Sequence, residues 1–389
     1  MIDFDFVENC CGCGACSNIC PANAIVMKAK EDGFLYPTIN TNKCINCNKC
    51  NQVCPHLHAK DTLNKTTVKA AWLYNSKDNN AKMRSSSGAA FYELAKAMLK
   101  QDAYICGCVW NKDLQAVHMV ANDAQSLYNM QGSKYVQSNM ENSYHEIIKI
   151  VKAGKRVLFS GTPCQAIAAH RCVMAVDNGK YRDNLITIGV ICHGVASPLA
   201  WNTFKQWTNK KNNSRLVSVN FRDKSKEGYK KSYCRYEYES GKVTYCPTYL
   251  PTSKYIEATL VYNLALRKSC SHCDCKGNNK AIDLILGDWY EECEGEGSLG
   301  TSCIVAFTDR GKKYAEEHLR GLRSFDYKTV IKKNHFIVDS EKLGKNRDRF
   351  LELIHEYRAW NTIEKLYPKK YWLKKILIKV GLYDVIKRS

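Results

Sequence analysis

Twenty-one cysteines stand among 389 residues, and eight of them fall into two runs with one spacing. Cys10, Cys13, Cys16 and Cys20 precede Pro21, and Cys44, Cys47, Cys50 and Cys54 precede Pro55. Both runs read C-x2-C-x2-C-x3-C-P, the spacing that holds a pair of 4Fe-4S clusters. Three closely spaced thiolates wrap one cluster through a tight turn, and the fourth crosses to the other. The expected ligand sets are therefore Cys10, Cys13, Cys16 and Cys54 for one cluster, and Cys44, Cys47, Cys50 and Cys20 for the other. Such chemistry moves single electrons.

Twelve more cysteines lie beyond residue 60. Cys164 follows a buried strand in SGTPC. Cys192 ends the strand LITIGVIC and precedes His193 and Gly194. Cys270 and Cys273 form a CxxC, with Cys275 just behind. Strand ends and turns are where an α/β sheet holds a cofactor. A third 4Fe-4S cluster on Cys164, Cys192, Cys270 and Cys273 is one reading, with Cys275 as the substitute ligand. The other is that Cys164 and Cys192 are small buried hydrophobes, or that the CxxC holds zinc.

Three segments suit a flavin or nucleotide. Ser85-Ser86-Ser87-Gly88 offers hydroxyls and backbone N–H groups at a helix start. Gly132-Ser133-Lys134-Tyr135 adds a cation, a hydroxyl and a ring. Gly161-Thr162-Pro163 is a tight turn into a helix. Ordinary capping and turn chemistry is the rival reading of each. Neither a G-x-G-x-x-G nor a P-loop pattern occurs.

The elements that must position these residues alternate. AIVMKA and FLYPTI read as a hairpin turning at Asp32-Gly33. HAKDTLNKTT (58–67) reads as a linker, and VKAAWLYN as a strand. A helix is expected from Ser87 or Gly88. AYICGCVW, RVLFSG and LITIGVIC read as buried strands, and ENSYHEIIKIVKAG as a helix closing on Gly154. LVSVNFRDK and SYCRYEYES-GK-VTYCPTY read as antiparallel. AIDLILGDW and TSCIVAFTD are two more strands, and residues 341–366 read as a long polar helix. The expected class is α+β: a two-cluster domain (1–60), then an α/β body with a mixed sheet. That body has an N-terminal part (61–165) and a C-terminal part (166–340), followed by a helical basic tail (341–389).

The net charge of +20 is localised. Residues 205–242 carry eleven bases against four acids, and the last 25 residues eight against one. Residues 1–60 are balanced, with five of each. Charge confined to one segment and one tail argues against a nucleic-acid-binding stripe. The basic segment reads as a solvated face, or as an attractor for an acidic ferredoxin or anionic substrate. In the tail, Leu373, Ile376, Leu377 and Val380 share a helical face, with Lys370, Lys374, Lys375 and Lys379 on another. Such a helix either lies on anionic membrane or packs on the body. The first residues show neither a basic start nor an apolar run, so no signal peptide is expected. Thiolates in a reducing cytosol fit this cysteine usage better than disulfides. A cytoplasmic protein is expected, membrane-peripheral if the tail binds lipid.

Several motifs occur in one order: SSSG (85–88), GSKYVQS (132–138), LFSGTPCQ (158–165), CHG (192–194), FRDK (221–224), then the CxxC and DLILGD (283–288). With the leading bacterial ferredoxin pattern, residues 1–340 resemble the coenzyme F420 hydrogenase/dehydrogenase beta-subunit family. The resemblance implies a flavin- and iron–sulfur-dependent oxidoreductase that binds FAD in the α/β body beside a 4Fe-4S cluster. It implies Ser87, Gly88, Ser133, Lys134, Tyr135, Ser138, Gly161 and Thr162 as flavin contacts. It strengthens Cys164, Cys192, Cys270 and Cys273 as cluster ligands, and sets Asp288 near the cofactors. Electrons would pass between ferredoxin or another redox protein and the N-terminal clusters, then the body cluster, then FAD. The FAD would exchange a hydride with an organic partner such as a deazaflavin. The family commonly continues its GD-aromatic motif with W-G, whereas this chain has GDWYEECEGEG, so the pocket loop differs. His193 reads either as a proton or hydrogen-bond donor near the flavin or as a satisfied histidine, and no catalytic residue is assigned. Two other readings stand beside this one: an electron-relay subunit without a substrate site, and a basic nucleic-acid-binding iron–sulfur protein.

Overall fold

The computed structural model describes residues 9–62, 68–250, 252–291 and 299–379. Near the N-terminus, β1 (Ile25–Ala29) pairs antiparallel with β2 (Leu35–Ile39). The turn lies at Gly33, whose φ of +75° suits a residue without Cβ. A side chain there would also strike Leu199, 2.2 Å away.

The body strands follow in chain order as β3 (Ala70–Tyr74), β4 (Tyr104–Trp110), β5 (Ala116–Ala121), β6 (Val157–Gly161) and β7 (Leu185–Val190). Then come β8 (Leu216–Asp223), β9 (Tyr233–Tyr238), β10 (Val243–Pro247), β11 (Leu284–Trp289), β12 (Thr301–Ala306) and β13 (Arg323–Ser324). Eight of them make one sheet in the order β13-β3-β12-β11-β7-β6-β4-β5. The central four, β11, β7, β6 and β4, run parallel, and the flanking strands are antiparallel. Strands 8 to 10 form a separate antiparallel sheet.

Both faces of the large sheet are covered, which explains why its strands read as unbroken apolar runs. Val157 and Phe159 of β6 face a layer built from Ser143–Lys152 and Pro163–Met174. Leu158 between them faces the layer of Ala90–Leu99 and Asp309–His318. A third core joins helix Pro198–Asn212, the small sheet and the chain around Phe350–Tyr371, with Trp201, Tyr255 and Trp360 fully buried. The N-terminal domain shares the first core: Cys13, Ala15 and Val53 belong to it. The chain is α+β, a two-cluster domain followed by an α/β body on a mixed sheet.

Four local expectations are corrected. The stretch read as a linker begins as helix: Pro55–Thr62 is helical, and the remainder, 63–67, lies outside the described residues. Pro55 suits a first helical turn, and buried Ala59 sits where Asn279 donates to its carbonyl at 3.1 Å. The helix after the serines starts at Ala90, because Ala89 is left-handed (φ 66°). Cys192 lies two residues beyond β7, which ends at Val190. Residues 341–366 hold one short helix, Arg347–Leu353, and two 3-10 turns, Tyr357–Asn361 and Ile363–Leu366. The chain bends there because Trp360 must reach the core, where it meets Phe204 and donates to Thr203 Oγ1 at 3.1 Å. Val380 of the tail and the later part of the GDWYEECEGEG loop lie outside the described residues. Among the described residues no helix is long and apolar enough to cross a membrane.

Candidate metal centres and cofactor site

The two N-terminal cysteine runs fold alike because the same offsets are left-handed. Gly12 and Gly14 have φ of 68° and 73°, and their counterparts Asn46 and Asn48 have 53° and 60°. Glycine and asparagine tolerate this region best. Each pair curls the chain around one side, where the thiols gather. Cys44, Cys47, Cys50 and the crossing Cys20 line one cavity with about 370 Å³ of empty space, beside Ile25, Ile39 and Ile45. Cys16 is packed near Cys10 and Cys54: burial first, then those two neighbours, push its thiol well up. Backbone N–H groups already point at sulfur, with Gly12 N donating to Cys10 Sγ and Ala24 N to Cys20 Sγ, each at 3.3 Å.

The scattered cysteines of the body converge. Register sets Gly161 of β6 beside Gly189 of β7, and Val190 beside Leu286 of β11. The three parallel strands therefore release their chains at one edge, the usual place for a site on such a sheet. Cys164 enters there on the first turn of Pro163–Met174, Cys192 just past β7, and Cys270 and Cys273 on and after the turn Lys268–His272. All four line a cavity with about 590 Å³ of empty space. Cys275 and Cys11 line it too. Sequence reading missed Cys11, and the Cys10-Cys11 doublet was the one available signal.

The surroundings hold this geometry. Gly194 leaves room for the Leu266 and Cys270 side chains, since a Cβ there would lie 2.3 Å from a Leu266 methyl and 3.2 Å from Cys270 Cβ. Lys276 Nζ donates to Cys192 O at 2.7 Å and Asp339 O at 2.5 Å. Thr162 Oγ1 lies 3.1 Å from Cys164 Sγ. Burial, then Cys270 and Cys164, pushes the Cys192 thiol up, and burial pushes that of Cys270 up to about 12, with Cys273 and Cys164 adding to it. Such thiols ionise together only around cations, and an iron–sulfur core supplies them. Among the described residues no three His, Cys, Asp or Glu side chains are close enough for a single metal ion. Four thiols lining one cavity are the donor number that a 4Fe-4S cluster takes.

One arginine locks the two regions together. Arg267 is fully buried, and donates from Nε to Cys10 O at 2.7 Å, from one terminal nitrogen to Gln137 Oε1 at 2.8 Å and from the other to Leu35 O at 3.0 Å. Its guanidinium lies 4.3 Å from the ring centre of Tyr36. Ser269 Oγ also donates to Cys10 O at 3.1 Å, and Gln137 Nε2 to Cys11 O at 2.8 Å. The loop bearing Cys270 is thus bonded directly to the first cysteine run.

The flavin candidates are tied into several groups. Ser138 Oγ accepts from Gln165 at 3.0 Å, and Gln165 accepts in turn from Thr162 N at 3.0 Å, just after Gly161. Ser133 bonds Ser86 at 2.7 Å, and Ser87 bonds Ser302 at 3.1 Å. Gly88 packs so tightly that a Cβ would lie 2.3 Å from Tyr74 O. Tyr135 OH lies 3.4 Å from an Arg222 nitrogen, and Arg222 pairs with Asp288 at 3.3 Å. Lys134 faces elsewhere: its ammonium bonds Asn129 O, Met130 O, Gln131 O and Gly132 O, capping helix Ala124–Met130, and burial lowers it to about 8. Lys224 of FRDK, which sequence reading did not assign, donates to Ser87 O at 3.3 Å and Leu299 O at 2.6 Å. Burial first lowers it to about 7. Arg222 Nε and Tyr229 OH are buried without a partner beside Tyr135 and Asp288. Unsatisfied buried donors of this kind fit a polar ligand such as a flavin nucleotide. His193 Nε2 bonds Asn263 Oδ1 at 2.7 Å, with its ring edge-on to Phe336 at 4.8 Å, the satisfied arrangement.

Residues 9–57 match the 4Fe-4S dicluster domain, and residues 154–323 match the family described as the C terminus of the coenzyme F420 hydrogenase/dehydrogenase beta subunit. None of the curated proteins compared with the chain matches it. Among solved structures it resembles a chain of the F420-reducing [NiFe] hydrogenase complex from Methanosarcina barkeri, at 16% identity and a TM-score of 0.45, over 77% of this chain and 92% of that one. Residues 9–57 thus form a 4Fe-4S dicluster domain suited to electron transfer, and residues 154–323 are similar to the C terminus of the coenzyme F420 hydrogenase/dehydrogenase beta subunit.

Proposed function

We propose that this chain is an iron–sulfur flavoprotein oxidoreductase with three 4Fe-4S clusters and FAD. Two clusters take the sets Cys10, Cys13, Cys16, Cys54 and Cys44, Cys47, Cys50, Cys20. The third takes Cys164, Cys192, Cys270 and Cys273, with Cys275 and Cys11 as flanking thiols. When bound, FAD exchanges a hydride with an organic substrate and trades single electrons with clusters. Ser87, Gly88, Ser133, Tyr135, Ser138, Gly161 and Thr162 would hold it, with Arg222 supplying charge. Lys134 serves by fixing the loop that carries Ser133 and Tyr135.

The observation that carries this reading is the meeting of dispersed cysteines in one cavity against Cys10 and Cys11. Cys10 then ligates one cluster while its neighbour Cys11 flanks the next, which makes a short path between them. The exposure of Cys47 and of Ile45 (64%) supports the second N-terminal cluster as the outer port, where ferredoxin or another one-electron carrier would meet it. The parts 61–165 and 166–340 act as one body, since β3 to β6 and β7, β11 and β12 share a sheet.

Anaerobic purification, denaturation and analysis of released flavin and iron test the proposal. Flavin with roughly twelve irons per chain is expected. Iron without flavin would favour a relay subunit lacking a substrate site.

A further inference from the structure

We propose that helix Lys369–Lys379 lies on an anionic membrane surface and holds the redox body against it. The helix is fixed to the body by one side. Tyr371 is 2% exposed and packs on Tyr367 and Tyr262, with ring centres 4.8 Å and 6.1 Å away. Lys375 Nζ pairs with Glu364 at 2.6 Å on the same flank. At 3.6 residues per turn, Trp372 falls about 100° round from Tyr371, its ring 5.4 Å from that of Tyr371 and 5.5 Å from Lys375 Nζ, while Leu373 and Ile376 fall on the opposite side. The three are 42%, 59% and 58% exposed.

A helix that covers its own apolar stripe would bury these three. This one presents them outward while its tyrosine anchors it. The segment KKYWLKKILIK carries five lysines and no acid. Lys369, Lys370 and Lys374 are exposed, so the outward apolar strip is flanked by cations. Tryptophan and leucine on one face, with lysines beside it, suit the boundary of headgroups and acyl chains. The absence of acids from the helix disfavours a second copy of this chain as its cover. Two such faces would bring like charges together, whereas anionic headgroups complement them.

Flotation of the anaerobic full-length protein with vesicles tests this, using phosphatidylcholine alone or mixed with phosphatidylglycerol. The wild type is expected to float with the mixed vesicles only, and less as salt rises. Trp372→Ser/Leu373→Ser/Ile376→Ser and, separately, Lys370→Glu/Lys374→Glu are expected to weaken partition by at least about tenfold with iron content unchanged. Wild-type protein staying at the bottom, or the apolar triple variant floating equally well, overturns the proposal. So does self-association that the triple variant abolishes without any vesicle binding.

Discussion

Arg267 bonds two backbone carbonyls and one side-chain amide from three distant stretches of chain. No other side chain type offers that fan of donors, and lysine cannot replace its planar fork. Arg267→Met should cost about 3 kcal/mol or more, by removing the guanidinium donor from Leu35 O and Gln137 Oε1 and leaving Cys10 O with Ser269 alone, and Arg267→Lys should recover only part. Thermal or denaturant unfolding of the two variants checks this. Gly12 gives a sharper contrast. It is left-handed, and a Cβ there would lie 2.6 Å from an Arg267 nitrogen. Gly12→Ala should therefore cost well beyond the roughly 1–2 kcal/mol of the backbone alone. Gly241→Ala, also left-handed but with nothing within 4 Å, should cost only that backbone amount in the same assay. The eight ligand-spaced cysteines were legible because a turn fixes their offsets. Cys11 and Arg267 were not, since each acts on residues that only the fold brings near. Lys134 reads as a cation offered to a flavin or nucleotide, but its ammonium bonds the last carbonyls of the helix preceding it.

At the scale of elements, β6 is both scaffold and delivery arm: its strand is buried throughout, and its end hands Thr162 and Cys164 to the cavity. His118 of β5 supports that arm, bonding Ser160 O at 3.1 Å and stacking on Phe159 at 5.7 Å. Burial lowers its pKa to about 4, below the usual 6.5. The unfolded chain then binds the extra proton between those values, so stability from neutral His118 is full above pH 6.5. It falls away as pH drops toward 4, by up to about 3 kcal/mol. The unfolding midpoint should thus decline from pH 7.5 to 5, and more shallowly in His118→Gln. The strands were legible as apolar runs because both sheet faces are covered. The long helix expected at 341–366 was not realised, because buried Trp360 follows buried Ile354 by six residues, a step that one straight helix would turn off its buried face.

Among the described residues, three cores and one bonded seam make a single body. The N-terminal domain contributes to the largest core, and its hairpin is bolted on by Ser197 Oγ donating to Asp32 O at 2.6 Å. The +20 charge leaves the cluster domain balanced and loads the segment 205–242 and the tail instead. The architecture was legible as alternating elements behind a repeat. The junction was not, because its contacts join residues more than two hundred positions apart. The central claim is that the body holds a cluster of its own beside the N-terminal pair. Iron per chain in anaerobic wild type and Cys192→Ser tests it most directly. The account predicts a loss of roughly four irons with the N-terminal clusters still visible by electron paramagnetic resonance. Equal iron in both proteins would contradict it.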